Sequence, residues 1–174
     1  MPDVFNFLMS NSEHLFAFRF KGGRLSYTIR IPPHNVIVQL ADEDFEVDLS
    51  QIKGKDEVAT IIATKEITRG EYWVELPPNR LMIFKDGLPY LSREQWNILK
   101  YVRQSTHRVS IREISKGVGI GIDEAVEGIA YLREIGMLVQ DSRDAVSPTH
   151  PDATFYTNTK IQKIIYSMLD WQGL

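Results

Sequence analysis

Two helix starts in the second half of the chain constrain its fold more than anything else in the sequence. Ser92 and Gln95 have the spacing of a capping box, in which each side chain takes up a free backbone N–H of the first helical turn. Leu91 and Trp96 flank them at the positions of a hydrophobic staple. Ser110 with Glu113, and Val109 with Ile114, repeat the arrangement. Helices are therefore expected to begin at Arg93 and Ile111. The run Gly117, Val118, Gly119, Ile120, Gly121 stops the second within about two turns. A third helix carries Ala125, Ile129 and Leu132 on one face and ends at Gly136. A strand over 137–140, a polar loop over 141–152 holding Pro148 and Pro151, and a strand over 153–157 follow. Thr159 and Gln162 then cap a last helix with an apolar stripe of Ile161, Ile164, Ile165, Met168 and Leu169.

The first half has a different period. After a stretch over 4–9 that suits a short helix, apolar residues alternate as in half-buried strands. Phe16, Phe18 and Phe20 share one face of a first strand. Leu25, Tyr27, Ile29 and Ile31 share one face of a second, with Ser26, Thr28 and Arg30 opposite. Gly22 and Gly23 between them supply the positive φ angles of a two-residue hairpin turn. Further strands are expected over 36–40, 45–49, 72–76 and 81–84. Residues 57–67 fit either a helix or a strand, and the β-branched run Thr60, Ile61, Ile62 favours a strand paired through Thr68, Arg69 and Gly70 with 71–76. The fold class read from these patterns is α+β: a small β-barrel or β-sandwich over 1–88, then a helical domain with two strands over 89–174.

Helix, short helix, turn, helix, strand, loop, strand, helix is the order of a winged helix. The segment IAYLREIGML, residues 129–138, resembles the end of the third helix in winged helix-turn-helix regulators of the ArsR and MarR type. The resemblance covers about half of the chain and leaves the N-terminal half unassigned. It implies a winged-helix domain over 89–174 whose third helix would present its N-terminal residues to DNA. Those positions hold Asp123, Glu124, Glu127 and Gly128, and Arg133 is the one base between Asp123 and Ile135. Phosphate binding relies on Lys and Arg, so an acidic helix is repelled. The reading that follows is a non-catalytic interaction or adaptor protein. Asp123, Glu124, Glu127, Tyr131 and Glu134 would dock a protein partner of basic character. The alternative is a DNA-binding transcriptional regulator that contacts DNA through Arg103, Arg108, Arg112, Lys116 and Arg143.

Chemistry is expected to be absent. The chain has no cysteine, which excludes disulfides, thiolate metal sites and a cysteine nucleophile. His14, His34, His107 and His150 lack the helical i, i+4 pairing of a metal site. The acidic run Asp42, Glu43, Asp44, Phe45, Glu46, Val47, Asp48 lacks the glycine of a calcium loop and reads as the wet face of a strand. Residues 116–121 mimic a phosphate-binding glycine loop but follow a helix instead of a strand. No enzyme, cofactor or metal is therefore expected. The net charge of −3 lies in the first half, with ten bases against thirteen acids up to Leu91, and the second is balanced at ten against ten, so neither half is basic. No apolar run approaches the ~20 residues of a membrane span, and the acidic N-terminus is unlike a signal peptide, so a cytoplasmic protein is expected. Tyr166 and Trp171 broaden the stripe of the last helix, which makes it the expected seat of a homodimer.

Overall fold

A computed structural model describes residues 5–34, 37–42, 46–52, 54 and 56–174, the side chain of Ile52 excepted. Val4, Val36, Phe45 and the acids Glu43 and Asp44, which entered the expectations above, lie outside the described residues. The chain divides into two compact units, Met1–Tyr90 and Leu91–Leu174. It is a mixed α/β protein with several antiparallel sheets and, among the described residues, no closed barrel.

In the first unit, β1 (Asn6–Ser10), β2 (His14–Arg19), β9 (Arg80–Lys85) and β10 (Leu88–Pro89) form one four-stranded sheet in the order β1-β2-β9-β10. β3 (Ser26–Arg30) lies between β6 (Ala59–Ala63) and β8 (Val74–Glu75). β4 (Ile37–Leu40) lies between β5 (Glu46–Asp48) and β7 (Thr68–Arg69), and the single helical turn α1 (Leu49–Ile52) follows β5. Separate sheets replace the expected barrel because β7, β8 and β10 are only two residues long and cannot carry a ladder around a closed wall. The opening segment is a strand, not a helix. Phe7 and Met9 stand opposite Phe18 and Phe16 across the β1–β2 ladder, and this cross-strand pairing overrides local helical preference.

The hairpin expected at Gly22 and Gly23 does not form. Both edges of β2 are already taken, by β1 and β9, and both edges of β3 by β6 and β8. The chain does turn there, with the Gly23 N–H donating to the Phe20 carbonyl at 2.8 Å, but neither glycine has a positive φ. What requires a glycine is space: a Cβ on Gly23 would stand 2.5 Å from the Asn6 Oδ1. Asn6 cannot easily retreat, since its Oδ1 accepts from the Phe20 N–H and its Nδ2 donates to the Arg24 carbonyl. Residues 59–63 form a strand, yet they pair with β3 instead of 71–76. Thr68 and Arg69, expected as a turn, form a strand of their own against β4.

In the second unit α2 (Arg93–Gln104), α3 (Ile111–Val118) and α4 (Ile122–Glu134) are followed by β12 (Leu138–Gln140), β13 (Thr154–Thr157) and α5 (Gln162–Trp171). A short β11 (Val109–Ser110) precedes α3 and joins the sheet in the order β11-β13-β12. Both capping boxes are formed, at Ser92 with Gln95 and at Ser110 with Glu113. Gly119 closes α3 at φ 77°, in the left-handed region that favours glycine. The core is assembled from Ile98, Leu99, Ile111, Ile114, Ala125, Ile129, Leu132, Phe155, Ile165, Met168 and Leu169, all buried. The cap expected at Thr159 is absent. Ile161 stands at the N-cap of α5 with no side-chain cap, and Gln162 donates to the Tyr166 hydroxyl at 2.7 Å instead. Among the described residues no helix is long and apolar enough to cross a membrane.

Candidate functional site

The most chemically organised group in the first unit is a buried ion pair that links two of its sheets. Arg30 on β3 and Glu71, just after β7, are each 11% exposed at the side chain. The pair is bidentate: Arg30 Nε donates to Glu71 Oε1 at 2.8 Å and Nη2 donates to Oε2 at 2.7 Å. The Thr68 hydroxyl donates to the same Oε2 at 2.5 Å, and Trp73 Nε1 donates to the Thr68 oxygen at 3.2 Å. Gly70, at φ 82°, reverses the chain between Thr68 and Glu71 so that both side chains reach one point. Burial pushes the Glu71 carboxyl up, but donation from Arg30 and Thr68, with the Arg30 charge, outweighs it and holds the carboxyl below the usual range.

Thr68, Gly70 and Glu71 of this group line a cleft of about 400 Å³. Arg24, Lys65 and Arg69 bring positive charge to its lining, Glu66 and Glu71 negative charge, and Ser26 and Thr64 hydroxyls. Lys65 is paired with Asp42 at 2.8 Å, and Arg69 Nη2 donates to the Ala41 carbonyl at 2.8 Å. Both signs of charge in a cleft of this size match a small zwitterion, with a carboxylate toward the bases and an ammonium toward the acids. Among the described residues no three His, Asp or Glu side chains converge as a metal site. His34 is buried, its Nε2 2.6 Å from the Glu57 carbonyl oxygen. Sequence reasoning did not single out Arg30, Thr68 or Glu71 as a site. Arg30 and Glu71 are separated by 41 residues, and the local signal is only the Thr-Arg-Gly-Glu turn.

The residues expected to dock a protein lie on α4. Asp123, Glu124, Glu127 and Glu134 are exposed, and Tyr131 is half-buried. Glu124 has an intramolecular task, accepting from the Gly121 N–H at 2.9 Å to cap the helix. Burial raises the Tyr131 hydroxyl pKa, and the Glu134 charge adds to the rise. The bases of the alternative reading are largely occupied. Arg103 pairs with Asp170 at 2.7 Å and stacks on Tyr166. Arg108 and Arg143 converge on the buried Asp141 at 2.6 and 2.9 Å, and Arg112 pairs with Asp152 at 3.3 Å. Lys116 is exposed. On α5, Ile165, Met168 and Leu169 are buried within the chain, while Trp171 is 43% exposed. A second cleft, of about 450 Å³, is lined by His107, Arg108, Tyr156, Thr159, Gln162 and Tyr166, among others.

Residues 2–108 match the family described as class-II glutamine amidotransferases, a stretch that contains nearly the whole first unit, the Arg30–Glu71 network included. The uncharacterized protein MJ1515 of Methanocaldococcus jannaschii is 38% identical over 168 residues, which cover 88% of this chain and 47% of the relative. YafJ of Escherichia coli, which carries a provisional glutamine amidotransferase name, is 32% identical over 81 residues, covering 47% of this chain and 31% of YafJ. The chain thus spans half or less of the length of the curated relatives it matches. The crystal structure of the multiple antibiotic-resistance repressor MarR of Listeria monocytogenes aligns with a TM-score of 0.39 and 17% identity, over 48% of this chain and 57% of that one. The family match overturns the expectations of a winged-helix family, of a non-catalytic adaptor or a regulator, and of no enzyme. Those expectations weighed helix caps and charge over 92–158, whereas the family likeness is carried mainly by the β-rich residues before them.

Proposed function

The chain belongs to the class-II glutamine amidotransferase family, and from that premise we propose that it serves an enzyme that takes the amide nitrogen of glutamine. The cleft beside the Arg30–Glu71 pair receives the amino-acid end of the substrate. The observation that carries this reading is the family match through residues 2–108, the same residues that build the cleft. Glutamine has a carboxylate, an ammonium and a side-chain amide. Arg24 and Arg69 suit the first, Glu66 the second, and the Ser26 and Thr64 hydroxyls the amide. Glu71 serves as a fixed wall, because its carboxylate is already held by Arg30 and Thr68.

Releasing ammonia from an amide needs a nucleophile, and these 174 residues contain no cysteine. These residues therefore supply binding groups at the cleft and no thiol nucleophile. The order of elements in the second unit, three helices, two strands and a helix, with β11 joining the strands, supports a winged-helix arrangement there.

Titration of L-glutamine into the purified chain tests the reading. We expect saturable binding that weakens about tenfold in the Arg24→Ala, Arg69→Ala double variant, both sites being exposed. No ammonia should appear from the chain alone. A chain that takes up no glutamine, or whose double variant binds it as the parent does, removes the assignment of this cleft.

A further inference from the structure

The second unit has a cleft of its own, and the glutamine reading makes no use of it. About 450 Å³ in volume, it is lined from the end of α2, residues 105–108, β13 and the start of α5. That volume lies within the range of small-molecule sites. Among its described lining residues there is no Asp or Glu, whereas His107 and Arg108 are both present. Arg108 is held in a way that leaves charge over. The buried Asp141 carboxylate is met on both oxygens by Arg143, Nε at 3.2 Å from Oδ1 and Nη2 at 2.9 Å from Oδ2, and by a single nitrogen of Arg108, Nη1 at 2.6 Å. Two guanidiniums thus share one carboxylate, and the three groups together keep one positive charge. Arg108 is 40% exposed at its side chain, so its other N–H groups are open to an anion. Flat surfaces stand beside that charge. The Arg108 guanidinium lies over the Tyr156 ring, 5.2 Å from its centroid, and Arg103 lies over the Tyr166 ring at 4.9 Å. Both tyrosines are half-buried and line the cleft, and Gln162 holds the Tyr166 hydroxyl at 2.7 Å. Fixed tyrosine rings and guanidinium planes are surfaces on which a planar ring stacks. Thr106 and Thr159 add exposed hydroxyls to the lining.

We propose that this cleft is a second small-molecule site, which takes a planar aromatic ring bearing an anionic group. Arg108 receives the anion, Tyr156 and Tyr166 receive the ring, and the two threonine hydroxyls meet its polar edge. Packing within the chain accounts for each stacked pair alone. It does not account for both pairs, a partly spent guanidinium and exposed hydroxyls lining one open cleft. A nucleotide phosphate and an aromatic carboxylate share the required chemistry, since each offers paired oxygens to a guanidinium and a flat ring to a tyrosine. Glutamine has no ring, so this site stands or falls separately from the cleft beside Glu71.

Backbone-amide NMR of the full chain, titrated with adenosine monophosphate and with para-hydroxybenzoate, tests the proposal and separates the two sources of the anion. At least one of them is expected to bind saturably and to move the resonances of Thr106, Arg108, Tyr156 and Thr159. Adenosine and inorganic phosphate, each with half of the chemistry, should bind at least about tenfold more weakly than the aromatic anion that does bind. L-Glutamine should leave these four resonances unmoved, whatever it does in the first unit. Arg108→Gln should weaken binding at least about tenfold while the thermal transition persists, because Asp141 keeps Arg143. Thr106→Tyr, at an exposed position on the lining, should block the cleft and provides a second variant if the first does not fold. Any of three results overturns the proposal: neither aromatic anion moves these resonances; adenosine, inorganic phosphate or glutamine binds there as tightly as the aromatic anion; or a folded variant binds as the parent does.

Discussion

Glu71 is fixed by its neighbours more than by its place in the sequence, and the consequence is a pH dependence. Its folded carboxyl sits below the ordinary value of 4.5 because Arg30 and Thr68 donate to the charged form against the opposing effect of burial. A depressed carboxyl contributes stability at pH values above its unfolded pKa and loses it as pH falls through the folded pKa. Glu71→Gln leaves Arg30, 11% exposed at its side chain, without a counter-charge. We expect a loss of about 3 kcal/mol near neutral pH, shrinking progressively below about pH 4 as the parent carboxyl also becomes neutral. Urea unfolding of parent and variant across that range measures it, and a difference independent of pH would show that the charge is not the cause. Gly23 poses a steric question at the same scale. Gly23→Ala should cost about 1–2 kcal/mol because the new methyl displaces the Asn6 clamp. In an Asn6→Ala background the cost should nearly vanish. Equal costs in both backgrounds would place the strain elsewhere.

At the scale of elements, the caps can be tested against each other. Ser110→Ala removes a formed capping box and should lower stability by about 1 kcal/mol, whereas Thr159→Ala, at a box that does not form, should change it little. Thermal melts of the two variants separate them, and equal shifts would contradict the observed caps. Gly128 offers a sharper comparison. Alanine is the better helix former by about 1 kcal/mol, yet a Cβ there would stand 2.7 Å from the buried Ile98 Cδ1 where α4 packs on α2. We expect Gly128→Ala to destabilise despite the propensity gain, and Ile98→Val to recover part of the loss. These contrasts also show what could be read in the sequence. Helices α2, α3 and α4 were legible because their starts and stops lie within a few residues of each other. The pairing of β3 with β6 was not, since a strand's period says which side chains share a face and nothing about which distant strand faces them. The same blindness hid Glu71: its carboxylate has meaning only once β3 and β7 are brought together. Phe16 and Phe18 were legible as a shared face, but period alone does not say which face is buried, and it is Ala17 between them that faces the core.

For the whole molecule, the sequence was most readable where function was least written. Local signals were strong in the second unit, and the family likeness is carried mainly by the first, where long-range strand pairing obscured it. The division itself makes a physical claim. Residues 91–174 bury eleven or more apolar side chains contributed by all four of their longer helices and by β13, and both capping boxes lie within them. A unit with its own core and its own caps has what independent folding requires. We expect residues 91–174, expressed alone, to give a helical circular dichroism spectrum and a single cooperative thermal transition. Ser110→Ala should shift that transition by the same free energy as in the full chain, because a cap acts within its first turn and the α3 cap is made by Ser110 and Glu113 of the same unit. A gradual, non-cooperative melt would mean that the unit draws stability from residues 1–90. A cooperative melt with a different Ser110→Ala effect would mean that α3 is strengthened or loosened by what precedes it.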